Sequence, residues 1–214
     1  MTLGARTCYH ETTDRSVDRW NVQRSDIIQA AAQIFRRKGF HGTSMQDIAD
    51  AVNLQKSSLY YHVPSKQDIL LEILDWALDL LIDDMQTVLQ SDLPAKDKLR
   101  RAIHVYVDRL TEDSDLATVL LMEHRSLEPD LQQDHILRRD RYEALWRRLI
   151  EEGIREGTFR DMDPRLAGFA LLGVQNWMLT WYRSDGSMRA ADLADHFADL
   201  FLKGLLLPVE ATER

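Results

Sequence analysis

Residues 43–66 read TSMQDIADAVNLQKSSLYYHVPSK, and their spacing decides how the rest of the chain is understood. Ser44 is a favoured residue type at a helix N-cap, and Met45, Ile48, Ala49 and Val52 follow at helical spacing. Asn53 tolerates a left-handed backbone, which suits a tight turn between two helices. Leu54 and Leu59 anchor a second short helix, Gln55 to Tyr61, whose other side chains are Lys56, Ser57, Ser58 and Tyr60. Pro64 stops it, because the residue before a proline avoids the helical region. Ser65 caps the next helix, with Lys66 in its first turn. Two short helices joined in this way form a helix-turn-helix, whose second helix can lie in the major groove of DNA. Helical hairpins that never touch DNA are common. Here, however, small hydroxyls and a lysine stand where a core hairpin would carry aliphatics, and a Tyr-Tyr-His cluster follows within reach of phosphates.

The run IADAVNLQKSSLYYHVPSKQDIL resembles the DNA-binding region of the TetR family of transcriptional repressors. The Phe40-His41-Gly42-Thr43-Ser44 lead-in, the Ile48-Ala49 pair, the Leu59-Tyr60-Tyr61-His62 run and Lys66 all carry the likeness. Asn53 stands where many members have glycine, and Val63 where many have phenylalanine. The resemblance spans the first three helices and the start of the fourth.

Together with the composition, it implies an all-α fold of about nine helices. A polar tail (1–23) precedes a three-helix helix-turn-helix DNA-binding domain (24–66). A helical bundle for effector binding and dimerisation (67–214) follows.

The 214 residues are enough for a well-buried core, and the scarcity of glycine (9) and proline (5) favours helices. Apolar runs stay short of the ~18 residues a membrane span needs, so no membrane partner is expected. The N-terminus lacks the apolar core of a signal peptide, and the lone Cys8 cannot form an internal disulfide. The expected location is the cytoplasm. A net charge of −8 argues against DNA binding until the chain is divided at Lys66. Residues 1–66 carry nine Lys/Arg and six Asp/Glu, net +3, whereas 67–214 carry eighteen and twenty-nine, net −11. A basic head on an acidic body suits a protein that offers one face to phosphates.

Trp20, in the tail, is placed to pack back on the head. Ser25 reads as the N-cap of a first helix with Ile27, Ala31, Ile34 and Phe35 inward. Arg36, Arg37 and Lys38 match the negative end of its dipole, and Gly39 closes it. These three cations read as a solvated terminus rather than as DNA contacts. A long helix then runs to Gln90 and joins head to body. Further helices are expected from Pro94 to Leu110, from Ser114 to Arg125, and from Pro129 to Gly153, followed by a loop to Pro164. The next, Arg165 to Tyr182, is apolar nearly all round and must be buried on more than one side. Gly168 and Gly173 within it suggest close approach of a neighbouring helix. The last runs from Ala190 to Leu206. The excess of apolar surface on the final pair suggests a dimer, as the resemblance also implies; an ordinary monomer core is the alternative. A two-fold dimer expects a palindromic operator.

For base reading the candidates are Gln46, Lys56, Ser57, Ser58 and Tyr60, since glutamine suits adenine, lysine suits guanine and hydroxyls are permissive. Tyr60 has core packing as its alternative. Thr43, Ser44, Tyr61, His62 and Lys66 are the phosphate candidates. Loss of Lys66 is expected to weaken all sequences alike and to lower the salt slope.

In the body, Trp76, His104, Tyr106, Met122, Tyr142, Trp146, Gln175, Asn176 and Trp177 are candidate walls of an effector pocket. Aromatics at helical spacing are more often core than pocket wall. The stretches LGVQNWMLTWYRSDGSM and ADLADHFADLFLKGL are similar to TetR-type repressors of lipid and sterol-ring catabolism that sense CoA thioesters. That likeness draws attention to Asn176, Trp177, Trp181, Tyr182 and Arg183. It also makes an acyl-CoA or other CoA thioester one candidate effector, beside non-CoA lipophilic or aromatic ligands. Arg109, Arg125, Arg138, Arg139 and Arg183 are available for CoA phosphates.

Catalysis finds no support. The seven histidines lack HExxH spacing, and there is no glycine phosphate loop and no Gly-x-Ser-x-Gly elbow. Glu123-His124 and the Asp113/Asp115 pair read as helix-end residues. No cofactor or metal is expected. The reading is a homodimeric, ligand-responsive repressor that binds double-stranded operator DNA and is released by a small hydrophobic effector. An activator, or a helical protein-binding adaptor, is the alternative.

Overall fold

The computed structural model describes residues 23–205. The polar tail with Cys8 and Trp20, and the final residue of the last expected helix, Leu206, lie outside the described residues. Among those described there are nine α-helices, two 3₁₀ turns and no strand. The helices are α1 (Arg24–Lys38), α2 (Met45–Ala51), α3 (Lys56–His62), α4 (Lys66–Gln90), α5 (Ala95–Glu112), α6 (Ser114–Met122), α7 (Pro129–Arg155), α8 (Pro164–Trp177) and α9 (Ala190–Leu205).

Local chemistry explains most of the boundaries. Ser44 accepts from the Asp47 N–H at 3.1 Å while Asp47 accepts from the Ser44 N–H at 2.8 Å, a reciprocal capping box. Ser65 caps α4 by accepting from the Asp68 N–H at 3.1 Å. Asn53 takes φ +55°, and Gly39 ends α1 at φ +73°. Three boundaries differ from the sequence expectation. The α1 cap is Gln23, whose N–H donates to the Asp26 carboxylate at 2.9 Å, so Ser25 lies inside the helix. After Met122, α6 passes into a 3₁₀ turn at His124–Ser126, and after Trp177, α8 tightens into another at Met178–Thr180.

The long helix α4 is the spine. Ile69, Leu70, Ile73 and Leu74 are buried at its head end, and Leu78, Leu81, Met85 and Val88 continue the stripe into the body. It packs on α1, α5, α6 and α7; α9 lies on α5, and α8 lies on α7. Near the far end of α4, the Lys98 ammonium donates to Glu152 at 2.7 Å and to the Leu89 carbonyl at 3.1 Å. That buried pair ties α5 to α7 and to the last turn of α4.

The expectation that α8 would be buried on several sides does not hold within one chain. Leu166, Phe169, Val174 and Trp177 are exposed, Trp177 by 67%. Nor do its glycines mark a close helix contact. A Cβ on Gly168 would meet Trp146 Cβ at an ordinary 3.9 Å, and one on Gly173 would meet nothing within 4 Å. The close approach is instead at Gly153, where a Cβ would fall 2.1 Å from the buried Phe159 ring.

Gly153→Ala is therefore expected to destabilise by about 1–3 kcal/mol through overpacking. Each kcal/mol corresponds to a fall in Tm of roughly 2–4 °C for a chain of this size. Gly168→Ala, which adds an ordinary contact and a better helix former, is expected to be neutral or stabilising. Thermal melts of the two variants check the contrast.

Candidate functional site

The face presented by the helix-turn-helix follows from which side chains the head core consumes. Leu59 and Val63 are fully buried with Ile48, Ala49 and Phe35, which fixes the rotation of α3. The opposite side then carries Lys56, Ser57, Tyr60 and Tyr61 into solvent, with Ser58 and His62 half-buried at its edges. Tyr60 is 46% and Tyr61 89% exposed, so neither is a core residue. His62 stands edge-on to Tyr61 with ring centroids 5.7 Å apart. Gln46 is exposed in the first turn of α2, its amide donating to Asp50 at 2.7 Å.

Two of the sequence-derived phosphate candidates point inward. Thr43 is buried, and its hydroxyl donates to the Gly39 carbonyl at 2.8 Å. The Lys66 ammonium donates to the carbonyls of Phe40 at 2.8 Å and Thr43 at 2.7 Å, and lies 4.3 Å from the Phe40 ring centroid. These bonds satisfy the loop between α1 and α2 and lock it onto α4. Ser44 serves as a cap, and its partner Asp47 also accepts from Lys38 at 2.6 Å. The Lys38 bond first, and the Ser44 bonds next, hold the Asp47 carboxyl well below the usual carboxylate range.

A cavity of about 290 Å³ lies in the body among α4, α5, α6, α7 and α8. Its apolar wall comes from Leu78 and Leu81 of α4, Leu120 and Leu121 of α6, and Phe169 and Leu172 of α8. Its polar groups are Tyr106, His124, Arg139, Tyr142 and Asn176, with Asp140 and Glu143. The Tyr106 hydroxyl donates to the Asn176 side-chain carbonyl, joining α5 to α8. Tyr106 and Tyr142 stack with centroids 6.1 Å apart, and burial pushes both phenols upward, so they act as neutral hydrogen-bonding groups.

Of the nine residues expected to wall a pocket, the structure brings Tyr106, Tyr142 and Asn176 together here. Trp146 is fully buried behind the two tyrosines, edge-on to both. Gln175 is buried and donates to the Leu171 carbonyl of its own helix. His104 faces α9, its Nε2 2.9 Å from Asp195. Trp76 stands at the joint beside Gln29 and Leu116, while Met122 and Trp177 are exposed elsewhere. Sequence reasoning favoured aromatics and passed over the leucines of α4 and α6 and the acids of α7. The spacing Arg139, Tyr142, Glu143, Trp146 does mark one helical face and was the available signal.

The cavity is also linked to the head. While α6 lines it with Leu120 and Leu121, the first turn of the same helix is held by α1, where Arg36 donates to Ser114 and Asp115 at 2.8 Å each. Arg36 is thus a link between head and body rather than part of a solvated terminus. Gln67, in the first turn of α4, donates to the Ser126 carbonyl at 3.0 Å and accepts from the Glu128 N–H at 3.2 Å. Both elements that wall the cavity on this side therefore bear on the helix-turn-helix.

Known proteins share this plan. Residues 27–73 match the family described as bacterial regulatory proteins, tetR family, and residues 92–205 match the tetracyclin repressor-like C-terminal domain. Over 189 residues the chain is 28% identical to the HTH-type transcriptional repressor KstR2 of Rhodococcus jostii (strain RHA1), covering 87% of this chain and 92% of that protein. The crystal structure of the TetR family transcriptional regulator PfmR from Thermus thermophilus superposes with a TM-score of 0.78 at 37% identity, covering 88% of this chain and 99% of that one. AibR, solved in complex with isovaleryl coenzyme A and operator DNA, superposes with a TM-score of 0.76 at 25% identity, covering 87% and 99%. The chain belongs to the TetR family, whose members are non-enzymatic, DNA-binding regulators of transcription.

Proposed function

We propose that this protein is a repressor that binds a palindromic operator as a homodimer and leaves it when a CoA thioester enters the body. The observation that carries the reading is the cavity itself, walled by α4 and α6, the two helices that also hold the head. KstR2 is named a repressor, and AibR was solved with both an acyl-CoA and its operator. At about 290 Å³ the cavity is at the small end for ligand sites, so it suits the acyl group while the nucleotide stays outside.

The exposed apolar face of Leu166, Phe169, Val174 and Trp177 on α8, with Leu200 on α9, supports dimerisation, because a contiguous apolar patch of this kind favours burial against a partner. Residues 24–66 form the DNA-binding head in this reading, and 67–214 the effector-binding and dimerisation body. Gln46, Lys56, Ser57, Ser58 and Tyr60 read bases, while Ser44, Tyr61 and His62 meet phosphates. Thr43 and Lys66 act by holding the loop that presents them.

Effector entry presses α6 and α4 apart, moves α1 and the first turn of α4, and re-spaces the two heads. Thermodynamically this requires the effector to bind the released state more tightly.

Fluorescence polarisation on the DNA upstream of the protein's own gene tests the reading. Salt-sensitive binding is expected, lost on adding decanoyl-CoA but not decanoate. Salt-independent or absent binding would favour an adaptor, and DNA binding that no thioester disturbs would leave a regulator of another ligand.

Lys66→Met separates two roles for that lysine. Loss of its two internal bonds is expected to lower head stability by about 1.5–3 kcal/mol and leave the salt slope unchanged. A slope reduced by about one unit per subunit, with stability intact, would instead show a phosphate contact.

A further inference from the structure

Five arginines of the body were available for an anionic ligand, and the structure distinguishes among them. Arg109 is held by Asp84 and Asp113, Arg138 by Asp75 and Asp79, and Arg183 by Asp185. Arg125 and Arg139 form no ion pair among the described residues, and of the five it is Arg139 that lines the cavity. Its neighbours there are unusual. His124 lines the same cavity, and its ring centroid is 6.4 Å from that of His135, which is 2% exposed with neither ring nitrogen partnered. Burial first, and the Arg139 charge next, push both imidazoles below their ordinary range, His135 to about 4. Near neutral pH both rings are therefore uncharged, and the Arg139 guanidinium is the one positive charge lining this end of the cavity, with Asp140 and Glu143 on the same rim.

We propose that the cavity mouth is an anion subsite, in which Arg139, beside His124, holds one phosphate, carboxylate or sulfonate of an amphiphilic effector. The apolar body of that effector fills the space between the α4 and α6 leucines and Phe169. A guanidinium fork suits such a group because it can donate two parallel hydrogen bonds to it. Asp140 and Glu143 share the rim and repel further negative charge, so the subsite takes one anionic group and leaves any other charges of the effector in solvent. This deepens the effector reading and rests on it for physiological meaning. The subsite itself can be tested without it.

The probes are 1-anilinonaphthalene-8-sulfonate, with fused apolar rings and one sulfonate, and its neutral counterpart N-phenyl-1-naphthylamine, both followed by fluorescence. The intact protein is expected to bind both. Arg139→Gln should weaken the sulfonate about tenfold or more while changing the neutral probe less than about twofold. Arg139→Lys should restore most of the loss, and Arg138→Gln, which breaks the pairing with Asp75 and Asp79, should leave the preference for the sulfonate in place. Equal effects of Arg139→Gln on the two probes, or no sulfonate binding by the intact protein, would overturn the subsite.

Competition by decanoyl-CoA and by decanoate then identifies the source of the anion, a CoA phosphate or a free carboxylate. A thioester that releases DNA equally well from the Arg139→Gln variant would refute the subsite and leave the CoA reading standing. An Arg139-dependent sulfonate site with no thioester response on DNA would do the reverse.

Discussion

One apolar stripe on α4 is buried in two places at once, and the remaining helices are arranged around that constraint. Ile69, Leu70, Ile73 and Leu74 complete the core under the helix-turn-helix, and Leu78, Leu81, Met85 and Val88 complete the core of the body. A helix with both ends anchored by burial cannot shift at one end without disturbing the packing at the other, because close-packed cores move between discrete arrangements instead of yielding smoothly. Leu78 and Leu81 sit where the packing is interrupted by the cavity. The helix that determines the pose of the head is thus exposed to a ligand at its middle.

The polar contacts around this spine hold the geometry; they do little for stability. The Arg36 bonds to Ser114 and Asp115, and the Arg24 pair with Glu72, are largely exposed and worth at most about 1 kcal/mol each. Lys66 differs, because its ammonium satisfies carbonyls that the turn between α1 and α2 would otherwise leave open. With α3 rotated by Leu59 and held by Val63, the exposed Lys56, Ser57, Tyr60 and Tyr61 form a rigid surface. A coupling of a few kcal/mol between cavity and head needs only the α1–α6 contact and the first turn of α4 to change together.

How far the sequence could be read follows from the range of each interaction. Ser44, Asn53, Gly39 and Ser65 act within a turn of their own positions, and their punctuation was legible. Residues that act across the fold were not. Arg36 reaches Asp115, His104 reaches Asp195, and Lys66 turns inward, each through a tertiary contact that no local pattern encodes. Gln23 displaced Ser25 as the first cap because Asp26 could reach back to its N–H. Aromatic residues attracted the pocket assignment since they are conspicuous, yet a tryptophan fills a core, a joint or an open face equally well, as Trp146, Trp76 and Trp177 do. The Tyr106–Tyr142 stack was identifiable only as two inward positions on separate helices.

In the proposed mechanism, occupancy of the cavity and affinity for the operator are one coupled equilibrium. Isothermal titration of decanoyl-CoA into the free protein and into the protein saturated with its upstream DNA measures that coupling from the ligand side. The thioester is expected to bind the DNA-bound form about fivefold or more weakly, by the same factor with which it weakens the DNA, as linkage requires. Equal thioester affinity for the free and DNA-bound forms would mean that the cavity and the operator are uncoupled.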